Sequence, residues 1–377
     1  MNVYLDNAAT TPMDPEVIDA MVKVMQDQFG NPSSIHSYGR NVKAAIEVAR
    51  KNVARLINAS PSEVFFTSGG TEANNTALFC TVRDLGIKHV ISSQVEHHAV
   101  LHTLQELVKE GKIRLSLVNL TGEGHVDLNH LEELLKSNER SLVSLMHGNN
   151  ELGNLLPIDK VTAICQQYDS IFHTDTVQTM AHYPFDVQKT KVDFLTCAAH
   201  KFHGPKGVGF LYINSRIRIH PFIFGGAQER NMRGGTENVY GIIGLSKAME
   251  IAYRDLDAHQ NHILSLKKIM IDKLRANIPG VKFNGDTLND SLYTVLSVCF
   301  PPHENTEMLL FNLDIAGIAC SGGSACSSGS DAGSHVLKAL YGTEERPSVR
   351  FSFSKYSTLQ EVDLVVEKLK ELFAVSV

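Results

Sequence analysis

Short apolar, β-branched runs alternate along the first two thirds of the chain with longer amphipathic stretches. The runs are Val64-Phe65-Phe66, His89-Val90-Ile91, Leu115-Ser116-Leu117-Val118, Leu142-Val143-Ser144-Leu145, Ile171-Phe172, Phe194-Leu195-Thr196 and Gly209-Phe210-Leu211-Tyr212. Strands buried on both faces read as continuous apolar runs, and the intervals leave room for crossover helices between many of them. The pattern predicts an α/β fold around a mostly parallel sheet. From about Asn238 to Asn277 the period becomes helical, and strand-like and helical pieces then mix around Tyr293–Phe300 and Ser348–Phe353. This shift marks a change of domain. No low-complexity tract, short repeat or charged tail interrupts the pattern.

Composition narrows the class. At 377 residues the chain exceeds one typical core, so a second domain and a cleft between the two are expected. An apolar fraction of 43% and a charged fraction of 20% are ordinary for a soluble protein. No apolar run reaches the roughly 18 to 20 residues that span a bilayer, so no membrane is expected as a partner. Met1-Asn2-Val3-Tyr4-Leu5-Asp6 lacks the basic start and apolar core of a secretory signal, and a cytoplasmic address follows. The formal charge of -6 argues against direct nucleic-acid binding. The six cysteines form no CxxC pair and no compact metal spacing, so no metal is expected. Cys80, Cys165, Cys197 and Cys299 lie in apolar segments and read as core. Cys326 stands among Gly and Ser instead.

Three segments carry chemistry. Thr67-Ser68-Gly69-Gly70-Thr71-Glu72 passes from a strand into a helix, where free N–H groups and the helix dipole favour an anion at Gly70 and Thr71. An ordinary capped helix start explains the same residues nearly as well. Ile171–Gln178 ends an apolar strand on Asp175, with Gln178 three residues on. Such an acid can pair with a pyridine nitrogen, or simply cap a turn. Ala199-His200-Lys201-Phe202-His203-Gly204-Pro205 places a lysine in a loop between two strands, where it can reach a sheet-edge cleft or lie solvated in a turn. The order phosphate loop, Asp, Lys along one α/β chain favours pyridoxal 5'-phosphate (PLP) as the cofactor.

At this point the chain resembles the class V aminotransferase-like PLP enzymes, and within them the cysteine desulfurases of the nitrogen-fixation and iron-sulfur-cluster type. The likeness runs nearly end to end. It is carried by Tyr4–Pro12, Phe29–Ser34, Glu96-His97, Asn149-Asn150-Glu151, Asp175 with Gln178, His200-Lys201, Glu229-Arg230 with Arg233 and Gly235-Thr236, and Ser324-Ala325-Cys326. The resemblance implies PLP fold type I. It implies a large PLP-binding domain with a seven-stranded, mostly parallel sheet (residues 15–250), and a smaller α+β domain (1–14 plus 251–377) carrying the Cys326 loop. It also implies a homodimer with active sites near its interface. Residue by residue, Lys201 resembles the lysine that bonds the cofactor and Asp175 the pyridinium partner. Gln178 and Asn150 resemble donors near the phenolic oxygen, and His97 the ring-stacking histidine. Thr71 and His200 resemble phosphate ligands, Thr236 a ligand to the neighbouring subunit's phosphate, and Asn31 a substrate contact. Two departures stand out: Ala198 where close relatives have Ser, and Thr176 where they favour a smaller residue. The first removes one expected phosphate hydrogen bond, a loss of roughly 0.5 to 1.5 kcal/mol.

From Cys320 to Ser334 the sequence is too polar and Gly-rich for core or strand, which predicts an accessible loop before a helix start near 330–335. Cys326 there matches the sulfur-accepting nucleophile of the desulfurases, whereas Cys320 ends an apolar run and reads as strand packing. Arg350, in an apolar strand, resembles the arginine that pairs with the substrate carboxylate through its planar fork. The 24 positions from Cys326 to Arg350 match the longer spacing of type I desulfurases; Ala332-Gly333 departs from a common Glu-Pro. The expected reaction takes L-cysteine to L-alanine and leaves the sulfur on Cys326 as a persulfide. An acceptor protein then takes it, either an iron-sulfur scaffold or a tRNA-thiolation protein. Only 27 residues follow Arg350, which predicts weak scaffold binding through a C-terminal tail. The competing readings are a selenocysteine lyase or another class V lyase or aminotransferase, which the Cys326 loop disfavours, and a sulfur-relay scaffold without turnover, which intact Lys201, Asp175, Cys326 and Arg350 disfavour.

Overall fold

The computed structural model describes residues 2–136, 140–304, 306–322, 333–342 and 347–374. All seven apolar runs of the first two thirds are strands of one sheet: β2 (Val64–Thr67), β3 (His89–Ser92), β4 (Arg114–Leu117), β5 (Leu142–Ser144), β6 (Ile171–Asp175), β7 (Phe194–Ala198) and β8 (Gly209–Ile213), with β1 (Val3–Tyr4) lying elsewhere. The order across the sheet is β2-β8-β7-β6-β5-β3-β4. Every pairing from β4 to β7 is parallel, while β8 is antiparallel to both its neighbours. Because β8 alone is reversed, β2, β3, β5, β6 and β7 all end on the same side, the side where α/β sheets bind ligands.

Helices cover both faces, which is why the strands carry apolar runs. On one face α1 (Pro15–Asp27), α2 (Ser37–Leu56) and the helix Val239–Arg254 bury Val17, Val42, Ile46, Val53, Ile242 and Leu245 against Phe66, Phe172 and Phe210. On the other, α3 (Gly70–Leu85) and α4 (His98–Lys109) bury Ala73, Ala77, Val100 and Leu104 against Val90, Leu142 and Phe194. Both helices of the long helical stretch form, Val239–Arg254 and Leu256–Asn277.

A separate apolar cluster collects Leu266, Met270 and Leu274 with Val362, Val365 and Leu369 of the helix Leu359–Leu372. They pack on a three-stranded antiparallel sheet of β9 (Lys282–Phe283), β10 (Val295–Cys299) and β12 (Ser348–Ser352). Val3 and Leu5 from the start of the chain join this cluster, and β1 pairs in parallel with β11 (Ile318–Ala319). The N-terminal segment then crosses to the large sheet. Ala8 N donates to Ser352 Oγ (2.8 Å), and Thr11 N donates to His200 O (2.9 Å). No helix among the described residues is long and apolar enough to cross a membrane.

Candidate active site

At the carboxyl ends of the sheet strands lies a cavity of about 260 Å³, lined by Gly70, Thr71, His97, Asn150, Asp175, Gln178, Ala198, His200, Lys201 and Arg350 together with Ala8, Ala9, Asn74, Met146, Gly148 and Val177. The segments that follow β2, β3, β5, β6 and β7 each deliver one part of it. After β2 the chain turns through Gly69 (φ 151°) into α3, whose first turn carries no side-chain cap. Its leading N–H groups therefore face the cavity mouth without a protein carboxylate or hydroxyl on them, the condition for an anion site. A Cβ on Gly70 would come within 2.7 Å of Val177 Cγ2, so the close approach there demands glycine.

After β3, His97 caps α4 by accepting from Ala99 N at Nδ1 (3.1 Å), which puts its proton on Nε2. Burial holds this imidazole below the ordinary histidine range; Lys201 adds to the shift and Asp175 opposes it. The His98 ring lies instead against His335 (centroids 4.4 Å apart, tilted by 49°) and His102 (4.7 Å, 51°). Adjacent Glu96 is fully buried, accepts from Met146 N (2.7 Å), and is held well above the usual carboxylate range by burial.

β6 ends on Asp175, 6% exposed, which accepts from Val177 N at Oδ1 (2.9 Å) and from Asn74 Nδ2 at Oδ2 (2.6 Å). Gln178 donates to Ala8 O (2.9 Å). After β7 a single helical turn, Ala199–Lys201, lifts Lys201 into the cleft, where Nζ donates to Ala8 O (2.5 Å) and Ala9 O (3.0 Å). Burial, reinforced by the neighbouring Lys201 and Lys206 charges, pushes His200 down to about 4, so it is a neutral ring at physiological pH. Its Nδ1 lies 3.1 Å from Thr10 Oγ1.

The opposite wall is Arg350 on β12, 2% exposed. Its Nη1 donates to Asn150 O (2.9 Å) and Nη2 to Asp6 Oδ1 (2.7 Å), while Nε is buried with no partner among the described residues. A buried guanidinium N–H without an acceptor is costly unless something else supplies one.

The remaining sequence candidates fall outside this cavity. Thr236 is exposed and lines a second cavity of about 130 Å³ with Ser68, Glu229 and Arg233. Asn31 is exposed, and its Oδ1 accepts from Ser33 N. Cys326 and Ala332 lie outside the described residues. Cys320 is partly buried beside the small apolar cluster, and burial, then the Asp6 charge, hold its thiol up at about 12. Such a thiol is not ionised at neutral pH and fits the packing role read from the sequence. The two departures also have an account. Ala198 lines the cavity with no polar group to offer, and the Thr176 hydroxyl is satisfied internally by donating to Thr196 O (2.6 Å).

Sequence reasoning assigned no role to the carbonyls of Ala8 and Ala9, to Asp6, or to Asn74. The pairing of Asp6 with Arg350 spans 344 positions and leaves no local signal. Asn74 carried one: on α3 it follows the uncapped helix start by a single turn.

The Aminotransferase class-V family model matches residues 3–365, and the chain belongs to that family. The enzymes of the family depend on PLP, and PLP is the cofactor of this one. Among its relatives, a protein named cysteine desulfurase IscS from Dictyoglomus turgidum is 43% identical over 374 residues, which cover 98% of this chain and 94% of that one. A solved NifS-like protein superposes with a TM-score of 0.90 at 37% identity, covering 99% of each chain. A structure titled SspA in complex with cysteine gives a TM-score of 0.81 at 30% identity over 94% of this chain and all of that one.

Proposed function

We propose that this chain is a cysteine desulfurase, converting L-cysteine to L-alanine and passing the sulfur to Cys326. The observation that carries this reading is the one cavity in which Lys201, Asp175, His97 and Arg350 meet, although they come from four different segments of the chain. The names and the cysteine-bound title of its relatives support the substrate.

The residues fit PLP. The uncapped start of α3, with Gly70 and Thr71, and the neutral His200 ring would hold the phosphate. Asp175, whose two oxygens each accept one protein N–H, retains lone pairs for a ring N–H. Gln178 and Asn150 would flank the phenolic oxygen, His97 would cover the ring face, and Lys201 would bond the cofactor. When bound, PLP supplies the electron sink for the pair left at the substrate Cα. Arg350, on the cavity wall, receives the substrate carboxylate, which aligns Cα against Lys201, and the Lys201 amine moves the Cα proton. His97 mediates proton transfer at the substrate thiol. Cys326 thiolate attacks the substrate sulfur, its S–S bond forms as the C–S bond breaks, and the carbon skeleton is reprotonated to alanine.

The same reading divides the chain into a large domain (15–250) and a small one (1–14 plus 251–377), supported by the separate apolar clusters. It makes the protein a cytoplasmic homodimer in which Thr236 serves the partner's phosphate and Asn31 the substrate. Exposed Phe29, Ile35, Tyr38 and Phe224 supply apolar surface for that association. An iron-sulfur scaffold or a tRNA-thiolation protein receives the sulfur.

The test is Cys326→Ser. The variant should keep the visible band of the lysine-bound cofactor and its change on adding cysteine, yet form alanine at background rates. Mass spectrometry of the wild-type enzyme after cysteine should show one extra sulfur atom on the peptide containing Cys326. Normal alanine formation by the variant, with no sulfur on that peptide, would overturn the desulfurase reading in favour of a lyase or transaminase.

A further inference from the structure

Behind Asp175 lies a chain of buried polar groups that the reaction scheme does not use. Asn74 Nδ2 donates to Asp175 Oδ2 at 2.6 Å, and Asn74 Oδ1 lies 3.1 Å from His173 Nε2. The same Nε2 is 3.2 Å from Thr196 Oγ1, and His173 Nδ1 is 2.8 Å from Ser144 Oγ. Asn74 is 1% exposed, and His173, Thr196 and Ser144 are fully buried. Three adjacent strands and α3 build this array: Ser144 sits opposite His173 across β5 and β6, and Asp175 opposite Thr196 across β6 and β7. His173 and Asp175 are two positions apart on β6 and so share one face of the sheet.

The direction of every bond follows from the single carboxylate. An ionised carboxylate only accepts, so the Asn74 amide nitrogen must face it, which turns the amide oxygen to His173. An amide oxygen also only accepts, so His173 carries its proton on Nε2. Its Nδ1 is then an acceptor and takes the Ser144 hydroxyl proton. Burial pushes His173 down to about 4, so this imidazole stays neutral. The donors therefore all point one way, from Ser144 through His173 and Asn74 to Asp175. An asparagine cannot exchange a proton with the acid it contacts. A histidine in direct contact with Asp175 could become its ion-pair partner and weaken the pull of the carboxylate on anything else.

We propose that Asn74 and His173 are positioning residues that orient Asp175 as an acceptor for the cofactor's ring nitrogen. The proposal rests on the reading that Asp175 faces that nitrogen. Asn74 sits on the helix whose first turn would hold the phosphate, so one rigid element would fix both ends of the cofactor.

The test uses the full-length holoenzyme reconstituted with PLP labelled with ¹⁵N in the ring, and reads the ring-nitrogen chemical shift at constant pH. Asp175→Asn sets the scale, because an amide cannot hold the nitrogen protonated as a carboxylate does. Asn74→Ala and His173→Leu should each move the signal by at least half of the Asp175→Asn displacement, while the visible band still reports cofactor bonded to lysine. His173→Gln, whose side-chain N–H can replace Nε2–H toward Asn74, should return the signal most of the way to wild type. It also gives a milder variant should His173→Leu fail to fold. A wild-type signal in Asn74→Ala and in both His173 variants, with a clear displacement in Asp175→Asn, would overturn the relay and leave the cofactor reading standing. An unmoved signal in Asp175→Asn would overturn the placement of Asp175 itself, and the relay with it.

Discussion

Two arginines, Arg50 under the large sheet and Arg350 at the edge of the cleft, are each 2% exposed, yet they are buried on different terms. Arg50 is saturated. Its Nη1 and Nη2 grip Glu229 bidentately (2.7 and 2.8 Å), Nη1 also donates to Val64 O (2.9 Å), Nε meets Glu47 (3.0 Å), and the guanidinium lies 4.7 Å over the Phe66 ring. Glu229 in turn accepts from Phe66 N (2.8 Å). Arg350 meets one carboxylate through a single bond and one carbonyl, and its Nε is left unpartnered. Since buried charges are costly unless satisfied, full satisfaction reads as architecture and a missing acceptor reads as a place kept for a ligand.

The largest effect should come from the incomplete arginine. Arg350→Ala should lower kcat/KM for cysteine by about 2–4 kcal/mol, roughly 30- to 1,000-fold. Thermal stability should change little, because the lost partners are a backbone carbonyl and the partly exposed Asp6. Arg350→Lys keeps the charge but not the planar fork and should recover only part of the loss. Steady-state kinetics beside a thermal melt separates the two roles. A large fall in melting temperature with unchanged kcat/KM would place Arg350 in the same class as Arg50.

Arg50→Ala should show the reverse. Removing one partner strands Glu229 in the interior, and such losses cost about 3–5 kcal/mol of stability. Glu229, Arg230 and Asn231 hold successive positive φ angles of 43°, 56° and 65°, so this strained turn depends on the clasp that Arg50 provides. Activity per cofactor-loaded enzyme should be largely retained. Arg50→Met combined with Glu229→Gln removes both charges while keeping an acceptor for Phe66 N, and in denaturant titration it should be less destabilised than Arg50→Ala alone. A double variant as unstable as the single one would mean that packing over Phe66, and not the pair, holds the turn.

What was legible beforehand follows the same division. The seven sheet strands could be read because strands covered on both faces carry short apolar runs, and even the edge strand β4 keeps Leu115 and Leu117. Lys201, Asp175 and the Gly70-Thr71 helix start could be found because their chemistry is local: a strand end, a loop, a glycine where no Cβ fits. The satisfied partners could not. Asp6 with Arg350, Glu229 with Arg50, and Lys201 with the Ala8 and Ala9 carbonyls are joined across 344, 179 and 193 or 192 positions. No spacing rule reaches that far, and a backbone carbonyl has no sequence signature at all. Choosing His97 over His98 needed the family register, since adjacent histidines read alike; in the structure one caps α4 at the cavity and the other lies against the His335 ring.

Lys267 extends the comparison to a buried base that, among the described residues, has no acid in hydrogen-bond contact. It is 1% exposed, and its Nζ donates to Ser291 Oγ (3.0 Å) and Leu292 O (2.7 Å), two bonds that match the two N–H groups of a neutral amine. Burial pushes the amine down to about 7, against a smaller opposing pull from Asp286. An unfolded lysine titrates near about 10.4. Below pH 7 the amine is protonated in both states and its burial penalty is fully felt. Between 7 and about 10.4 the unfolded chain binds more protons than the folded one, so this residue makes stability rise with pH across that window. The test is denaturant unfolding of wild type and Lys267→Met at pH 7, 8 and 9, with the difference between them read at each pH. Wild type should gain on the order of 1–2 kcal/mol relative to Lys267→Met from pH 7 to 9, a slope that the methionine cannot produce. A difference that stays flat would mean Lys267 remains charged in the fold, and that a base can be buried here on two neutral acceptors alone.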